Sequence, residues 1–422
     1  MMGMLPVKNF EWMTRDELNL DFILSLENEG NIGCIVECDL IYPNSLHELH
    51  ADYPLAPEKH KVHFDCLSPV AQKICKKHNL MKSTNSEKLM TTFFKKERYV
   101  LHYRNLKLYV ELGLEVSEIH IGLKFIQEPV IKNYIEFNSN RRAQAQNTFD
   151  SNYYKLLSNS LFGKTIERPE NRQRVVLSSD PKKHQKIVGN PCFKTSKIIN
   201  EDLVASTLGY PAVKVKKPFY MGMTILELAK VHMYNFHYNV MKKKFKDKLQ
   251  LLYTDTDSLL YEISDENMIS KLSELKKYFD FSNYDPSHCL YNNEQKKVPG
   301  LFKDEAAGAH ILEFVGLRSK MYSFVMDDTL VENKTAKGVK KAIITRDLQH
   351  ADYLRCLNEG IQLEHTFNQI SSKSHNVTTN LQKKISLSPF DDKRYLLDHE
   401  NSVPYGSEKI QQINAAVALE VS

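Results

Sequence analysis

The sequence lacks a long run of apolar residues. No stretch reaches the 18 or so uninterrupted apolar residues that a membrane-spanning helix needs. The first residues, with Glu11, Arg15 and Asp16 in close succession, have no apolar centre of the kind found in a secretory signal peptide. We therefore expect a protein without a membrane partner, located inside the cell, in the nucleus or the cytoplasm.

Cysteines are few and scattered. The chain has 7 of them, and no two form a Cys-x-x-Cys pair. An odd number of widely separated cysteines indicates neither a disulfide framework nor a zinc site. We expect reduced thiols without a structural metal.

The chain also has little excess charge of either sign. Its 57 lysine and arginine residues face 52 aspartate and glutamate residues, and a net charge of +5 neither requires nor excludes a polyanionic partner. Apolar residues make up 42% and charged residues 26% of the 422 residues, which is typical of a globular protein. The length predicts roughly two or three lobes rather than one small core.

The most informative segment is a pair of carboxylates between two runs of β-forming residues. Asp255 and Asp257 stand one residue apart, and the pattern predicts a hairpin with strands at 251–253 and 259–263 and a turn at 254–256. Two ionised carboxylates this close repel each other unless a cation lies between them, and a divalent metal is the simplest such cation. The alternative is a solvated turn, because Asp often caps turn backbone.

A third carboxylate, Asp39, ends a strand-like segment at 32–40. Pro43 follows it and must lie at a strand end or in a turn, because proline cannot donate to a strand ladder. Two-metal phosphoryl transfer needs carboxylates that bridge two divalent ions about 3.5 to 4 Å apart. Asp39 is therefore a candidate partner of the hairpin carboxylates, and a turn cap is the alternative interpretation.

A long helix is predicted over about 141–164. One apolar stripe on it steps by four, three and four residues and is expected to be buried. Lys155, Asn159 and Phe162 step by four and three on a neighbouring face, so a cation, an amide and an aromatic ring would project together. The alternative for the lysine is a solvated charge. The stripe comprises Phe149, Tyr153, Leu156 and Ser160.

Downstream, residues 317–325 alternate as one strand with Lys320 and Tyr322 on the same face. A basic loop that contains Lys337 follows. Its lysines either contact the phosphate backbone of a nucleic acid or are ordinary surface residues. The segment 194–217 resembles a basic β-ribbon.

The order of these motifs resembles the family B DNA polymerases, most closely their protein-primed branch, the organellar and viral type B enzymes, including those of Polinton (Maverick) transposable elements. The matches are 39–43 for motif A, 155–163 for motif B, 253–258 for motif C and 320–322 for the KxY motif. Each motif alone occurs by chance, whereas four in the family's order are specific.

The resemblance implies an α+β fold: a right-hand polymerase core with an antiparallel palm sheet, helical fingers and a small thumb. It implies two Mg²⁺ ions held by Asp39 and Asp257, with Asp255 as a catalytic carboxylate beside them. The reaction would be DNA-directed DNA synthesis, in which a primer hydroxyl attacks a deoxynucleoside triphosphate. The implied partners are template and primer DNA and dNTP, and the priming hydroxyl belongs either to a DNA primer or to a terminal protein.

The resemblance also assigns residues to the substrates. Tyr42 would stack under the sugar, and Phe162 stands where the family usually has Tyr. An arginine would reach the triphosphate, and either Arg141 or Arg142 fits, with family-like spacing favouring Arg142. The nucleotide contacts would be Tyr42, Arg142, Lys155, Asn159 and Phe162, and the DNA contacts Lys320, Tyr322 and Lys337.

The sequence departs from the family in two places. Motif A has two residues fewer between Asp39 and the Tyr42-Pro43 pair than many members have. The 38 residues before Asp39 are too few for an exonuclease domain and contain no Asp-x-Glu in a strand context, so we expect no proofreading. An inactive polymerase relic that binds DNA is the alternative function. A reverse transcriptase would need adjacent carboxylates in its hairpin, which this chain lacks.

These motifs predict seven regions along the chain. They are an N-terminal remnant at 1–30, palm with motif A at 31–60, a priming-region-like insertion at 61–140, fingers with motif B at 141–165, a basic ribbon insertion at 166–220, palm with motif C and KxY at 221–330, and thumb with a polar C-terminal tail at 331–422.

Overall fold

The structure is a computed structural model that describes residues 1–81, 86–327, 332–373 and 376–413. Strands β1 to β20 are Leu5–Trp12, Ile32–Ile41, Glu58–His60, Lys88–Met90, Lys96–His102, Glu115–Glu128, Arg174–Ser178, Phe193–Asn200, Leu203–Leu208, Leu249–Thr254, Leu259–Ile263, Phe279–Asp280, Phe302–Lys303, Ile311–Arg318, Met321–Met326, Glu332–Ala336, Leu363–Lys373, Asn376–Leu387, Tyr395–Leu396 and Ser402–Val403. Helices α1 to α11 are Leu20–Ser25, Pro69–Lys77, Tyr103–Glu111, Lys132–Gln144, Thr148–Thr165, Pro181–Val188, Phe219–Asn235, Lys243–Phe245, Met268–Glu274, Lys341–Asp347 and His350–Glu359.

The described residues form two compact units. The first unit contains 1–158, 224–364 and the chain from 385 onward, and the second contains 159–223 and 365–384. None of the described helices is both long enough and apolar enough to cross a membrane.

The Asp39 sheet, with strand order β1-β6-β2-β5, is the centre of the first unit, and its neighbouring strands are antiparallel. Alternate residues of β2 point into the core, where they pack against α3 and the second half of α7. Tyr103, Tyr109 and Tyr234 fill the space between the sheet and these helices. The inward residues of β2 are Cys34, Val36, Cys38 and Leu40.

The prediction that 61–140 is an insertion is wrong for the part from 96 to 128. This part contains α3 and the strands β5 and β6, which flank β2 on its two sides and complete the Asp39 sheet. The strands are charged on their exposed face, so their sequence does not read as a continuous apolar run.

The predicted hairpin around the paired carboxylates is confirmed, with β10 and β11 antiparallel. The helix that leads into it continues from α7 through a π-helical segment, Phe236–Lys242, whose apolar side chains pack against the hairpin.

The predicted helix at 141–164 is broken in the structure. Helix α4 ends at Gln144, and Asn147 caps the start of α5 by accepting the Asp150 N–H at 2.8 Å. The predicted buried stripe is wrong, because Phe149, Tyr153 and Leu156 are 77%, 48% and 64% exposed.

The predicted single strand at 317–325 is also wrong. Arg318 ends β14 and Met321 begins β15, so the chain reverses through Ser319 and Lys320, and Lys320 adopts φ +60°. Strand β16 joins the same sheet, so the predicted palm-to-thumb boundary at 330 would divide a sheet.

The polar tail predicted after the thumb belongs to the first unit from residue 385 to residue 413; residues 414–422 lie outside the described part. Side chains from 390–410 pack with Met90 and with side chains from 62–80 in what we call the C-terminal cluster. The sparse apolar residues are bulky and therefore bury large areas despite the polar composition. The cluster comprises Val62, Leu67, Ala71, Ile74, Cys75, Met90, Phe390, Tyr395, Val403 and Tyr405.

The second unit contains a three-stranded antiparallel sheet with strand order β7-β9-β8, and α6 packs on it. The predicted ribbon at 194–217 is confirmed only for the β8–β9 hairpin, because residues 209–218 are not strand. Three cations surround Glu167 within this unit: Lys164, Arg172 and Lys217.

Candidate active site

Asp39 lies near the end of β2, between strands that are irregular on both sides. Its register partner on β6 is Glu118, and the pairing shifts on either side of this pair. On β5 the register shifts between the partners of Cys38 and Leu40, where Arg98 has a left-handed φ of +50°. These β-bulges turn an amide and a ring toward one carboxylate.

The two oxygens of Asp39 have different partners. The Arg98 backbone N–H and His120 Nε2 both donate to Oδ1, at 2.9 and 2.8 Å. Oδ2 pairs with Lys95 Nζ at 3.1 Å. The carboxylate is therefore fixed by one strand on each side.

This arrangement favours the ionised form of Asp39. The hydrogen bond from the Arg98 N–H, followed by those from His120 and Lys95, holds the pKa of Asp39 well below its usual range. The same ion pair raises the pKa of Lys95. Both groups stay charged across the physiological pH range.

Several residues around Asp39 were missed by sequence reasoning. Glu118 Oε1 lies 3.5 Å from His120 Nδ1, and Glu37, two residues before Asp39, pairs with the Arg98 guanidinium at 2.8 Å. The strand alternation of Glu37 with Asp39 was an available signal. Lys95 and His120 had none, because only the pairing of β5 and β6 with β2 brings these distant parts of the chain to Asp39.

The motif C hairpin presents its two carboxylates in a tight turn. The N–H of Asp255 donates to Ser258 O at 3.1 Å, and the turn passes through Thr256 at φ +57°. Asp257 is exposed, and Asp255 Oδ2 pairs with Lys320 Nζ at 3.2 Å.

The KxY residues contact this hairpin directly. The rings of Tyr322 and Tyr253 lie 4.6 Å apart between centroids, in addition to the ion pair of Lys320 with Asp255. The third and fourth predicted motifs therefore meet in the first unit.

The three predicted carboxylates do not form one tight cluster. Among the described residues, the ligand atoms within 4.8 Å of one another around Asp39 belong to Glu118 and His120, and this group does not include Asp255 or Asp257. The donor set fits a hard divalent cation, since it supplies carboxylate oxygens and Asp39 is held ionised. A lysine ammonium presently contacts Asp39 and another contacts Asp255.

Tyr42, the predicted sugar contact, lies in the core. Its hydroxyl is hydrogen-bonded to His50 Nδ1 at 2.7 Å, accepts the Leu55 N–H at 3.3 Å, and its ring packs 4.6 Å from that of Phe93. Burial lowers the pKa of His50 to about 4, so this partner is neutral at pH 7.

The other predicted contacts are spread over both units. Arg142 lies in the last turn of α4, and Lys297 Nζ donates to its carbonyl at 3.0 Å. Lys155 belongs to the first unit, whereas Asn159 and Phe162 belong to the second. Lys337 follows β16, and its N–H donates to Lys320 O at 3.0 Å.

Solved structures of phi29 DNA polymerase have a similar fold. The ternary complex with primer-template DNA and incoming nucleotide substrates has a TM-score of 0.54 at 14% identity, over 91% of this chain and 55% of that chain. The binary complex with primer-template DNA gives 0.51 at 14% identity, over 90% and 54%. An orthorhombic crystal form gives 0.51 at 13% identity, over 91% and 55%.

This chain thus spans little more than half the length of those polymerase chains. The likeness confirms the predicted α+β right-hand polymerase fold. No curated protein sequence matches the chain. The model of the family described as DNA polymerase type B, organellar and viral, matches residues 35–242, from the Asp39 strand to the end of the π-helical segment. The chain therefore resembles the organellar and viral type B DNA polymerases over this segment and shares the fold of phi29 DNA polymerase over most of its length.

Proposed function

We propose that the chain catalyses template-directed DNA synthesis, the transfer of a nucleotide from a dNTP to a primer hydroxyl. The observation that carries this proposal is the fixed, ionised Asp39 carboxylate on the central sheet of a chain with a polymerase fold. The contact between the motif C hairpin and the KxY residues supports it further.

Two Mg²⁺ ions, when bound, would activate the primer hydroxyl and stabilise the leaving oxygen. We assign Asp39 and Asp257 as their ligands. Asp39 would bind through Oδ2, since Oδ1 already accepts two hydrogen bonds. Asp255 lies on the same turn as Asp257 and is the third catalytic carboxylate of the proposal.

The substrate contacts follow the family pattern. Lys320 and Tyr322 would hold the primer strand next to the motif C carboxylates, and Lys337 would contact the DNA backbone. Lys155 and Arg142 would neutralise the triphosphate. The nucleotide contacts proposed are Tyr42, Arg142, Lys155, Asn159 and Phe162.

Charge distribution supports a nucleic-acid partner. The second unit contains 15 lysine and arginine residues but only 5 aspartate and glutamate residues. The chain as a whole has a net charge of only +5, so the first unit carries an acidic excess. Concentrated positive charge attracts a polyanion such as DNA without reading its sequence. The phi29 structures contain primer-template DNA and nucleotides, and we propose the same classes of partner here.

We propose that the acceptor hydroxyl belongs to a DNA primer, with a hydroxyl on a terminal protein as the second option. We also propose that these 422 residues do not proofread. The described residues before Asp39 are built into its own sheet as β1 and the start of β2, with α1 packed on α3, so they are part of the polymerase core. A 3′→5′ exonuclease assay on a mismatched primer, with no shortening expected, tests this.

The decisive experiment is primer extension by the purified chain with Mg²⁺ and dNTPs. Asp257→Asn should lower the extension rate roughly 10²-fold to 10³-fold or more, because it removes charge that stabilises the reaction centre. DNA binding, measured by fluorescence anisotropy, should stay nearly unchanged. Glu262→Gln, an exposed substitution on the same hairpin, is the matched control and should extend normally.

The rival function is an inactive relic that binds DNA. The observation in its favour is that lysines pair with two of the three carboxylates and that the three described carboxylates do not form one group of ligand atoms within 4.8 Å of one another. Tight DNA binding by the unmodified chain without any incorporation would establish the relic and reject the polymerase. Extension by Asp257→Asn near the normal rate would reject the metal mechanism.

A further inference from the structure

The two carboxylate oxygens of Asp39 are unequal as ligands. Oδ1 accepts the backbone N–H of Arg98 and Nε2 of His120, and the first of these donors is fixed by the strand. Oδ2 meets Lys95 Nζ at 3.1 Å. A cation that binds Asp39 would therefore bind Oδ2, the oxygen that Lys95 already contacts.

Lys95 has the freedom to leave. It directly precedes β5, and its side chain is 48% exposed, whereas that of Asp39 is only 11% exposed. A lysine stem has several rotatable bonds and a strongly hydrated head, so it moves into water at small cost. The hydrogen bonds to Oδ1 do not involve Lys95 and would keep the carboxylate in place after the lysine has left.

Other acidic groups also attract the ammonium of Lys95. Glu97 and Glu118 both attract Lys95, and the attraction of Asp39 itself is larger. The positive charge of Lys95 thus reduces the repulsion between these neighbouring carboxylates.

We infer that Lys95 is a resident counter-ion that competes with a divalent metal ion for Oδ2 of Asp39. The ion binds this carboxylate by displacing the ammonium, and Lys95 sets a lower metal affinity than the carboxylate alone would have. This inference rests on the proposed function, in which Asp39 is a metal ligand.

Direct Mn²⁺ binding tests the inference without relying on activity. The loss of the free Mn²⁺ signal in electron paramagnetic resonance is measured for the full chain, and Asp39→Asn defines the part of the binding that depends on Asp39. Lys95→Met should tighten this part roughly three- to tenfold, since about 1 kcal/mol is typical of a half-exposed ion pair. Lys95→Arg keeps the charge and should bind as the unmodified chain does.

A second lysine pair on the same sheet supplies the matched control. Lys8 pairs with Glu128 at 3.0 Å, and Lys8→Met should leave Mn²⁺ binding unchanged. Lys95→Gln provides a second uncharged variant if the methionine variant does not fold, as judged by circular dichroism.

The outcomes separate the two claims. If Asp39→Asn leaves Mn²⁺ binding unchanged, the metal role of Asp39 fails, and the inference fails with it. If Asp39→Asn weakens binding but both uncharged Lys95 variants bind Mn²⁺ no more tightly than the unmodified chain, the inference alone is rejected. Weaker binding by those variants rejects it too, because Lys95 would then support the ion.

Discussion

At the scale of single residues, the proposed site is controlled by what each carboxylate is bonded to. Asp39 has fixed donors on one oxygen and a movable cation on the other. Asp255 forms an ion pair with Lys320 of the KxY motif, and Asp257 is exposed to solvent. Three chemically identical side chains therefore differ in how readily each accepts a new cation.

A carboxylate outside the proposed site allows a pH test. Hydrogen bonds from Arg172, then Lys217 and Lys164, lower the pKa of Glu167 from 4.5 to about 2. A lowered folded-state pKa means that the stabilisation is fully present above pH 4.5 and is lost as the pH falls toward 2.

Glu167→Gln should therefore lower the melting temperature at pH 7 and should have little effect near pH 2. Thermal unfolding of the unmodified and variant chains between pH 2 and pH 7 measures this. Glu170→Gln, an exposed change in the same unit, should be neutral throughout. A Glu167→Gln effect of equal size at all pH values would contradict the ionic explanation.

At the scale of elements, α5 differs most from what its sequence predicts. Its apolar residues recur at helical spacing, yet Phe149, Tyr153 and Leu156 are exposed. Periodicity records which residues share a face, but it does not say whether another element covers that face.

Leu156→Lys therefore should change the free energy of unfolding by no more than about 0.5 kcal/mol, as expected for an exposed position. Leu106→Ala in the core beside the Asp39 sheet should cost about 2 to 5 kcal/mol. Chemical denaturation measures both. A loss of several kcal/mol for Leu156→Lys would mean that the stripe is buried after all.

How far the sequence predicts the elements depends on the distance along the chain. The Asp255–Asp257 hairpin was predicted because both strands and the turn lie within a few residues. The partners of Asp39 were not predicted. Lys95, Arg98 and His120 are distant from it in sequence, and only the pairing of β5 and β6 with β2 brings them close. The Lys320 turn was missed because it interrupts an alternating pattern without Gly or Pro.

At the scale of the whole molecule, residues distant in sequence pack together in the first unit. Phe390 and Tyr395 pack with residues 62–90 in the C-terminal cluster, about three hundred positions earlier in the chain. The composition of this segment predicts a polar tail because its apolar residues are few. Those few are large side chains, and they make the packing contacts.

Phe390→Ala should destabilise the first unit by about 3 to 5 kcal/mol. It should also expose the segment 62–90 to limited proteolysis, since the same cluster holds both segments. Leu381→Ala, at an exposed position of the second unit, serves as the control and should do neither. Unchanged proteolysis in the Phe390→Ala variant would show that 62–90 folds independently of the C-terminal segment.

The left-handed conformation of Arg98 limits which amino acids can replace it without loss of the contact with Asp39. The group that fixes Asp39 Oδ1 at this position is a main-chain amide, so it belongs to the path of the strand and not to the guanidinium. Glycine or asparagine at 98 would adopt the same conformation with less strain and would still offer the amide. Proline would remove the donor. Glycine or asparagine at position 98 would thus lose the ion pair of the guanidinium with Glu37 but keep the contact of the main-chain amide with Asp39.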